Sequence, residues 1–412
     1  MDKAIDVRRK ISHFRILIIG RANAGKTTIL KKVCNSVEDP EIYDPDGNKI
    51  DPEIVNESAE RGLHDIDNQL IFMSNPQFIF HDSRGFEGGS ADEIQKVIAF
   101  IRERGETTEL SEQLHAIWYC LPTDGNRPLL EAEDRFFEIS VPLIVIFTKF
   151  DGLVTKAFQQ LRGEGKNIRM ANAGKIELAQ RMLTTNYRDQ LNGVAFKPSA
   201  YVQLDDMRLE WSSCTELINQ TANTLTDDAL LLLFVSVQRN NIDLCIWWAV
   251  REALDDKELT SVIKWTLAYF PHVWDKNVAF CIDALKNKLP AVEYLIETPL
   301  GLAQLVALLC ICAEHTFTEG SVFEEGFGTA FVIALDAYVG SPTEAAVTTE
   351  ISEMDPEADF ETRRDKLCDI IKAHRLRADS NMFPKKVLLL TANFRYTNRH
   401  GMIIDATTEI FI

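Results

Sequence analysis

The chain has 412 residues, of which 46 % are hydrophobic, and its formal net charge at pH 7 is -18. At roughly 100–200 residues per domain, this length predicts two or three domains. The hydrophobic content excludes a largely disordered chain. The acidic balance disfavours non-specific binding to nucleic acid or to an anionic membrane, because both need an excess of Lys and Arg.

Cysteine spacing and hydropathy predict a soluble, cytoplasmic protein. The eight cysteines are scattered and form no CxxC pair, so they indicate neither a zinc site nor a thioredoxin-like motif. The first residues lack the apolar core of a signal peptide. The longest apolar stretch, Leu302–Ala313, is shorter than the roughly 20 residues of a bilayer span and contains Gln304, so no transmembrane segment is expected.

Short apolar runs alternate with helical patterns up to about residue 205. The runs predict strands at Phe14–Ile19, Leu70–Phe72, Phe78–His81, Ala116–Leu121, Leu143–Phe147 and Gly193–Lys197. The helical patterns lie at Lys26–Cys34, Asp92–Arg102, Leu129–Ile139 and Lys175–Gln190. This alternation predicts an α/β fold with a mostly parallel sheet and helices on both faces.

Helical patterns alone follow residue 226. The acidic segment Glu344–Phe360 is predicted to be a loose connection, and the tail from Lys386 is predicted to form a β-hairpin around Asn398–Gly401. The sequence therefore predicts an α/β domain at residues 12–225, a mainly α-helical domain at 226–385 and a tail at 386–412.

The most specific motif is the segment Gly20–Thr27, which matches G-x-x-x-x-G-K-[ST] between a predicted strand and a predicted helix. In such a loop, backbone N–H groups and a helix N-terminus cradle phosphate oxygens. Lys26 would bridge the β- and γ-phosphates, and the Thr27 hydroxyl would bind Mg²⁺. The expected phosphate-binding residues are Gly20, Asn23, Ala24, Gly25, Lys26, Thr27 and Thr28. Ala171–Lys175 repeats part of the loop, but no strand precedes it, so we predict a surface loop entering a helix there.

Three further segments bear on the choice between ATP and GTP. Strand Phe78–His81 ends in the D-x-x-G segment Asp82–Gly85, whose acid can hold Mg²⁺ through water and whose glycine N–H can meet a γ-phosphate. Thr148-Lys149-Phe150-Asp151 fits [NT]-K-x-D, whose carboxylate can accept hydrogen bonds from guanine N1–H and N2. Ser199-Ala200 fits an S-A element, whose backbone N–H would meet guanine O6.

These motifs, in this order, resemble the P-loop GTPase superfamily, Ras-like branch, over residues 12–225. The resemblance implies a GTP- or GDP-binding G domain with Mg²⁺ and an effector or regulator protein, and it allows a homodimer. Within the superfamily, the chain is similar to G-domain proteins of mushroom-forming fungi, which implies no particular cellular role. The segments that carry this second similarity are Glu38–Asp44, Arg61–Ile66, Ser74–Pro76, Ile117–Cys120 and Phe234–Asn241.

Two departures from the family pattern bear on hydrolysis. The interval Pro52–Asp67 contains no Thr that could reach Mg²⁺, so Ser58 and His64 are the candidates in its place. Because Mg²⁺ prefers oxygen ligands, His64 could instead contact phosphate or the attacking water. Phe86 follows D-x-x-G where Ras-like proteins place a water-orienting Gln, although Arg84 could contact phosphate. The leading hypothesis is a guanine-nucleotide switch with slow GTP hydrolysis. The alternatives are a nucleotide-dependent dimerising or scaffold module without hydrolysis, and a generic P-loop ATPase or small-molecule kinase.

Overall fold

The computed structural model divides the chain into two compact units, Met1–Asn241 and Ile242–Ile412. The sequence places the change of pattern earlier, at residue 226. The residues that the structure describes are 13–51, 65–83, 91–107, 109, 111–125, 141–193, 197–209, 212–238, 241–254, 256–270, 273, 275–289, 292–318, 324–374, 396–397 and 403–404.

An eight-stranded sheet in the order β3-β2-β4-β5-β1-β6-β7-β8 forms the centre of the first unit. Strands β5, β1, β6, β7 and β8 run parallel, whereas β2, β3 and β4 pair antiparallel. The predicted α/β fold is therefore confirmed. The strands are β1 Phe14–Gly20, β2 Glu41–Tyr43, β3 Lys49–Ile50, β4 Gln69–Ile71, β5 Phe78–Asp82, β6 Ala116–Pro122, β7 Leu143–Thr148 and β8 Ala200–Gln203.

Helices surround this sheet, and strands β1 and β7 are buried along their whole length. Because successive strand residues point to opposite faces, such strands must be covered on both sides. The predicted helix Leu129–Ile139 lies outside the described residues. The helices of the first unit are α1 Lys26–Val33, α2 Ala91–Glu106, α3 Phe150–Gly163, α4 Ile168–Leu183, α5 Asp189–Asn192, α6 Thr215–Thr224 and α7 Asp228–Ser236, with a π-helical turn at Thr184–Arg188 between α4 and α5.

The segment Ala171–Lys175 lies inside helix α4, so the expectation of a surface loop there is wrong. The helix begins after Asn167, whose side chain accepts a hydrogen bond from the Met170 N–H. That N-terminal cap starts the helix before the glycine-containing repeat is reached. The repeat therefore has no phosphate-binding geometry.

Aromatic packing assigns α7 to the first unit, although the sequence placed it in the helical domain. The Phe234 ring of α7 lies 4.7 Å from the Phe14 ring and 6.0 Å from the Phe78 ring, measured between centroids. All three side chains are fully buried. Burying an aromatic ring removes a large apolar area from water, so α7 belongs to the hydrophobic core beneath β1 and β5.

Strands β2 and β3 form a hairpin around Asp46-Gly47-Asn48. Ile42 pairs with Ile50, and the Asp44 N–H donates to the Asn48 carbonyl at 2.9 Å. Gly47 has a φ of +84°, a left-handed conformation that glycine adopts without steric cost. The hairpin extends the sheet at its β4 side.

The predicted strand Gly193–Lys197 is misplaced. Gly193 ends helix α5, with its N–H on the Gln190 carbonyl, and residues 194–196 lie outside the described residues. The eighth strand is instead Ala200–Gln203, which pairs with Ile144–Phe147 of β7. The physical reason is pairing with β7, because the observed register buries the Val202 side chain.

The second unit is helical, as the sequence predicts, with one correction. Residues Pro342–Ser352 form a helix where a loose acidic connection was expected. Ser341 caps this helix by accepting from the Glu344 N–H, and Pro342 occupies its first turn. The helices are α8 Ile242–Ala253, α9 Leu259–Ala268, α10 Asp275–Lys288, α11 Val292–Leu295, α12 Pro299–Thr318, α13 Glu324–Tyr338, α14 Pro342–Ser352 and α15 Phe360–Ala373, and the short strands β9 Tyr396–Thr397 and β10 Ile403–Ile404 pair antiparallel.

Helix α12 is the centre of the second unit. By length and composition its window Pro299–Thr316 could cross a membrane, with a mean hydropathy of 1.4, so the apolar stretch is longer than expected from the sequence. However, 83 % of that window is buried inside the protein. A buried core helix meets the same criteria as a membrane span, and the packing identifies α12 as a core helix.

None of the eight cysteines forms a disulfide, and all eight are buried. They include Cys34 at the end of α1, Cys120 in β6 opposite Gly20, and Cys310 and Cys312 within α12. Burial raises the pKa of these thiols because a thiolate loses its hydration there. They behave as small apolar side chains.

Candidate functional site

The P-loop connects β1 to α1 and depends on two glycines. Gly20 has a φ of +147°, and a Cβ at this position would lie 2.4 Å from the Cys120 carbonyl oxygen of β6. Gly25 has a φ of +86° immediately before α1 begins at Lys26. The loop can therefore approach its neighbours and turn into the helix only with glycine at these positions. This geometry points the first N–H groups of α1 away from the helix, where they can bind an anion.

Lys26 is the cation of this loop. Its Nζ donates to the carbonyls of Gly20 at 3.3 Å and Arg21 at 3.4 Å, and it lies 3.8 Å from Asp82 Oδ1. Its side chain is only 9 % exposed. The weak, long contacts leave a buried ammonium that a phosphate could bind more strongly than the two carbonyls do.

Asp82 ends β5 and faces Lys26. Its Oδ1 is buried and accepts no hydrogen bond from any residue that the structure describes. Burial raises the pKa of Asp82 to about 6, and Lys26 partly opposes this shift. A buried carboxylate oxygen without a donor is a fitting ligand for a divalent cation or its bound water.

The raised pKa of Asp82 predicts a pH-dependent stability in the absence of Mg²⁺ and nucleotide. An ordinary Asp titrates near 4. Because folding raises this pKa, the stability contributed by the protonated form is fully present below about pH 4 and is lost as the pH rises through about 6. Asp82→Asn should therefore increase the free energy of unfolding by about 2 kcal/mol near pH 7, with no gain below about pH 4.

Urea unfolding in EDTA at the two pH values measures this difference. Asp39→Asn is the control, because Asp39 pairs with Lys31 at 2.8 Å but is 81 % exposed. Equal stability of Asp82→Asn and the wild type near neutral pH would show that the buried charge of Asp82 does not destabilise the folded protein.

Behind Asp82, a buried network fixes strand β5. Arg15 of β1 donates to His81 Nε2 at 3.1 Å, and His81 Nδ1 donates to the Ile66 carbonyl at 3.0 Å. These two bonds require the neutral imidazole, in agreement with the pKa of His81, which burial and the adjacent Arg15 lower to about 3. Arg15 also contacts Glu112 at 3.3 Å. The network ties residues 65–68 to the strand that carries Asp82.

The T-K-x-D segment joins β7 to α3. Lys149 has a φ of +57°, and its Nζ lies 2.9 Å from Asp124 Oδ2. The Thr123 hydroxyl donates to the carbonyls of Thr148 and Lys149, so the ends of β6 and β7 are linked there. The Thr148 hydroxyl itself is buried and bonds to no residue that the structure describes. Lys149 is therefore held at the carboxyl edge of the sheet.

Asp151 lies in the first turn of α3. Its Oδ1 accepts the Asp206 N–H at 3.3 Å. This contact comes from the loop that follows β8, and it fixes one oxygen of the carboxylate. Carboxylate oxygens have further lone pairs for other donors.

The structure does not bring Ser199 and Ala200 to this edge, so that expectation is wrong. The Ser199 N–H donates to the Leu143 carbonyl, and the Ser199 hydroxyl accepts from the Leu143 N–H. Leu143 begins β7, so these contacts lie at the amino ends of the strands. With about 3.3 Å per residue, β8 carries the chain to the other edge before residue 204.

A single cleft of about 570 Å³ brings the remaining predicted segments together. The sequence did not predict the contribution of Asp206, Met207 and Arg208, because no motif marks this loop. Of the other predictions, Ser58, His64, Arg84 and Gly85 lie outside the described residues. The cleft is lined by Asn23, Ala24, Gly25, Lys26, Thr27, Thr28, Ile29, Asp82, Asp124, Thr148, Lys149, Asp151, Gly152, Asp206, Met207 and Arg208.

No family model matches the chain. Over 126 residues the chain is 29 % identical to a shikimate kinase of Ralstonia nicotianae, a match that spans 29 % of this chain and 64 % of that protein.

Solved structures similar to the chain include GTPase domains. The septin GTPase domain from Chlamydomonas reinhardtii is 17 % identical and covers 47 % of this chain and 77 % of its own, with a TM-score of 0.22. A GDP-bound mutant of S. thermophilus NFeoB is 12 % identical and covers 88 % of this chain and 98 % of its own, with a TM-score of 0.28. A bacterial dynamin structure is 14 % identical over 78 % of this chain and 49 % of its own, with a TM-score of 0.28. At these identities and TM-scores the similarity transfers no activity to this chain.

Proposed function

We propose that the first unit binds GTP and GDP with Mg²⁺ in the cleft, and that it hydrolyses GTP slowly as a switch. The observation that carries the proposal is the convergence of Lys26, Asp82 and Asp151 on one cleft. These residues supply a phosphate-binding cation, an unsatisfied acid beside it and a carboxylate for a base. A P-loop fold alone would need only the first.

Asp151 favours guanine over adenine. Guanine presents N1–H and the N2 amine as adjacent donors, which one carboxylate can accept. Adenine lacks this donor pair, and it would leave a desolvated carboxylate without its partners. Sites built to hydrogen-bond a ligand reject analogues that lack the donors strongly.

Thr27 and Asp82 would hold the Mg²⁺ ion. Thr27 lines the cleft, and the buried Oδ1 of Asp82 accepts no hydrogen bond from the described residues. Both supply oxygen, which Mg²⁺ prefers. The ion, when bound, neutralises charge on the β- and γ-phosphates. Lys26 adds a second positive charge, and the P-loop N–H groups orient the same phosphates.

Slow hydrolysis follows from Phe86, the residue after the D-x-x-G segment, because a phenyl ring cannot orient a water molecule. The same residue favours a second candidate, a scaffold module that binds nucleotide without hydrolysing it. The match to a shikimate kinase favours a third, a P-loop ATPase or small-molecule kinase. Phosphate release and base preference separate these three functions.

Calorimetric titration with GDP, a non-hydrolysable GTP analogue and ATP, each with Mg²⁺, tests the proposal. We expect the guanine nucleotides to bind at least about 100-fold more tightly than ATP, because hydrogen-bonded base sites discriminate by this much or more. Equal affinities would overturn guanine recognition and support the ATPase or kinase alternative.

A further inference from the structure

The loop that follows β8 forms part of the cleft wall. We call residues 204–209 the base loop. Asp206, Met207 and Arg208 of this loop line the cleft. Its first residue is fixed, because the Leu204 N–H donates to the Phe147 carbonyl at 2.8 Å and the Leu204 carbonyl accepts from Phe150 at 3.3 Å. The base loop therefore starts from a rigid point between β7 and α3.

The middle of the base loop has an uncommon backbone conformation. Asp206 has a φ of +43°, a left-handed conformation that Asp tolerates better than most residues. Its N–H donates to Asp151 Oδ1, and its carbonyl accepts from the Leu209 N–H at 2.8 Å and from the Ser212 hydroxyl at 2.7 Å. These contacts turn the loop so that its N–H meets the base-recognition carboxylate.

The end of the base loop is held by the helix that follows the P-loop. Lys32, in the last turn of α1, donates from Nζ to the Leu209 carbonyl at 2.6 Å. The two residues are 177 positions apart, so this contact joins the helix that follows the P-loop to the base loop. Lys32 is half-buried, and a hydrogen bond from a charged donor is stronger than a neutral one. Of the residues that the structure describes, those that line the cleft do not include Lys32.

We propose that Lys32 is a positioning residue for base recognition. It holds the base loop in the position where the Asp206 N–H contacts Asp151. The inference rests on the proposed function, because it assumes that Asp151 accepts guanine. Without the Lys32 bond, the base loop loses its anchor on α1, and the Asp206 N–H no longer fixes the carboxylate. Guanine affinity should fall, whereas binding that depends on phosphate contacts should not.

The test compares Lys32→Met with Lys31→Met in titrations with GDP and ADP. Lys32→Met is expected to weaken GDP binding about tenfold, in line with the loss of one charge-assisted hydrogen bond at a half-buried site. ADP binding, to which the Asp151 carboxylate contributes no hydrogen bond from a guanine N1–H and N2 amine, should stay unchanged, and Lys32→Arg should restore most of the GDP affinity. The neighbouring Lys31 pairs with the exposed Asp39, so Lys31→Met should change neither titration.

Ser212→Ala is the second variant, because it removes the Ser212 bond to the Asp206 carbonyl and leaves α1 intact. It should also reduce the preference for GDP over ADP. If Lys32→Met and Ser212→Ala keep the wild-type preference, or weaken GDP and ADP equally, the positioning role is overturned. A wild-type protein without preference for GDP would overturn the proposed function first, so the two failures are distinguishable.

Discussion

Replacing Asp151 with Asn is expected to change the base that the cleft prefers from guanine to xanthine. In the wild type both carboxylate oxygens can accept, one of them from the Asp206 N–H. In the variant the amide oxygen keeps the Asp206 bond, which places the NH₂ group at the position of the other oxygen. The N2 amine of guanine would then face this NH₂ group, and two donors cannot form a hydrogen bond with each other. Xanthine instead has a carbonyl oxygen at C2, which can accept from the NH₂ group.

We expect GDP to bind Asp151→Asn at least about 100-fold more weakly than the wild type, with a gain for xanthosine diphosphate. Calorimetric titration of both nucleotides against both proteins measures the exchange. Asp39→Asn, an exposed acid paired with Lys31, is the matched control and should behave as the wild type. Unchanged GDP affinity in Asp151→Asn would mean that Asp151 does not contact the base.

Replacing Lys26 with Ala is expected to remove most nucleotide binding, together with phosphate release. The Lys26 ammonium is buried between the P-loop carbonyls and Asp82, so water competes little for its charge. Loss of a charge-assisted contact to phosphate at such a site should weaken GDP binding by about 100-fold. The variant also leaves Asp82 without its nearest cation, which further favours the protonated acid.

A phosphate-release assay with GTP, run on the wild type and on Lys26→Ala, separates a slow enzyme from a scaffold. Slow release in the wild type that disappears in Lys26→Ala supports hydrolysis in the cleft. Lys31→Ala serves as the control, because Lys31 lies in the same helix as Lys26 but pairs with the exposed Asp39. Release that persists in Lys26→Ala would assign the activity to another site or protein.

The positions of the P-loop and of the T-K-x-D segment at strand ends could be predicted because local chemistry determines them. Gly20 and Gly25 occupy backbone conformations that other residues rarely adopt, so the spacing of these two glycines identifies the loop in the sequence. Apart from Arg15, the strand residues before Gly20 and Thr148 are apolar, because both faces of these strands are covered. Such patterns need no knowledge of distant contacts.

The base loop could not be predicted, because pairing between distant strands decides its position. Ser199-Ala200 matches a motif, but its register with Ile144 places it at the amino edge of the sheet. β8 is short and only Val202 is fully buried, so it carries little periodic signal. Asp206 contributes a backbone N–H, a group that every residue except proline has, so its identity reveals nothing. The same limit applies to Lys32, whose partner lies 177 positions away.

Because every native thiol is buried, the folded wild-type protein should give little background reaction with a thiol-labelling reagent. A maleimide attacks thiolates that it can reach, and the native fold exposes none of the eight cysteines. A cysteine introduced at Val37, which is 94 % exposed beyond α1, would therefore be the single reactive position. A fluorophore there would report on the P-loop helix without any prior removal of native cysteines.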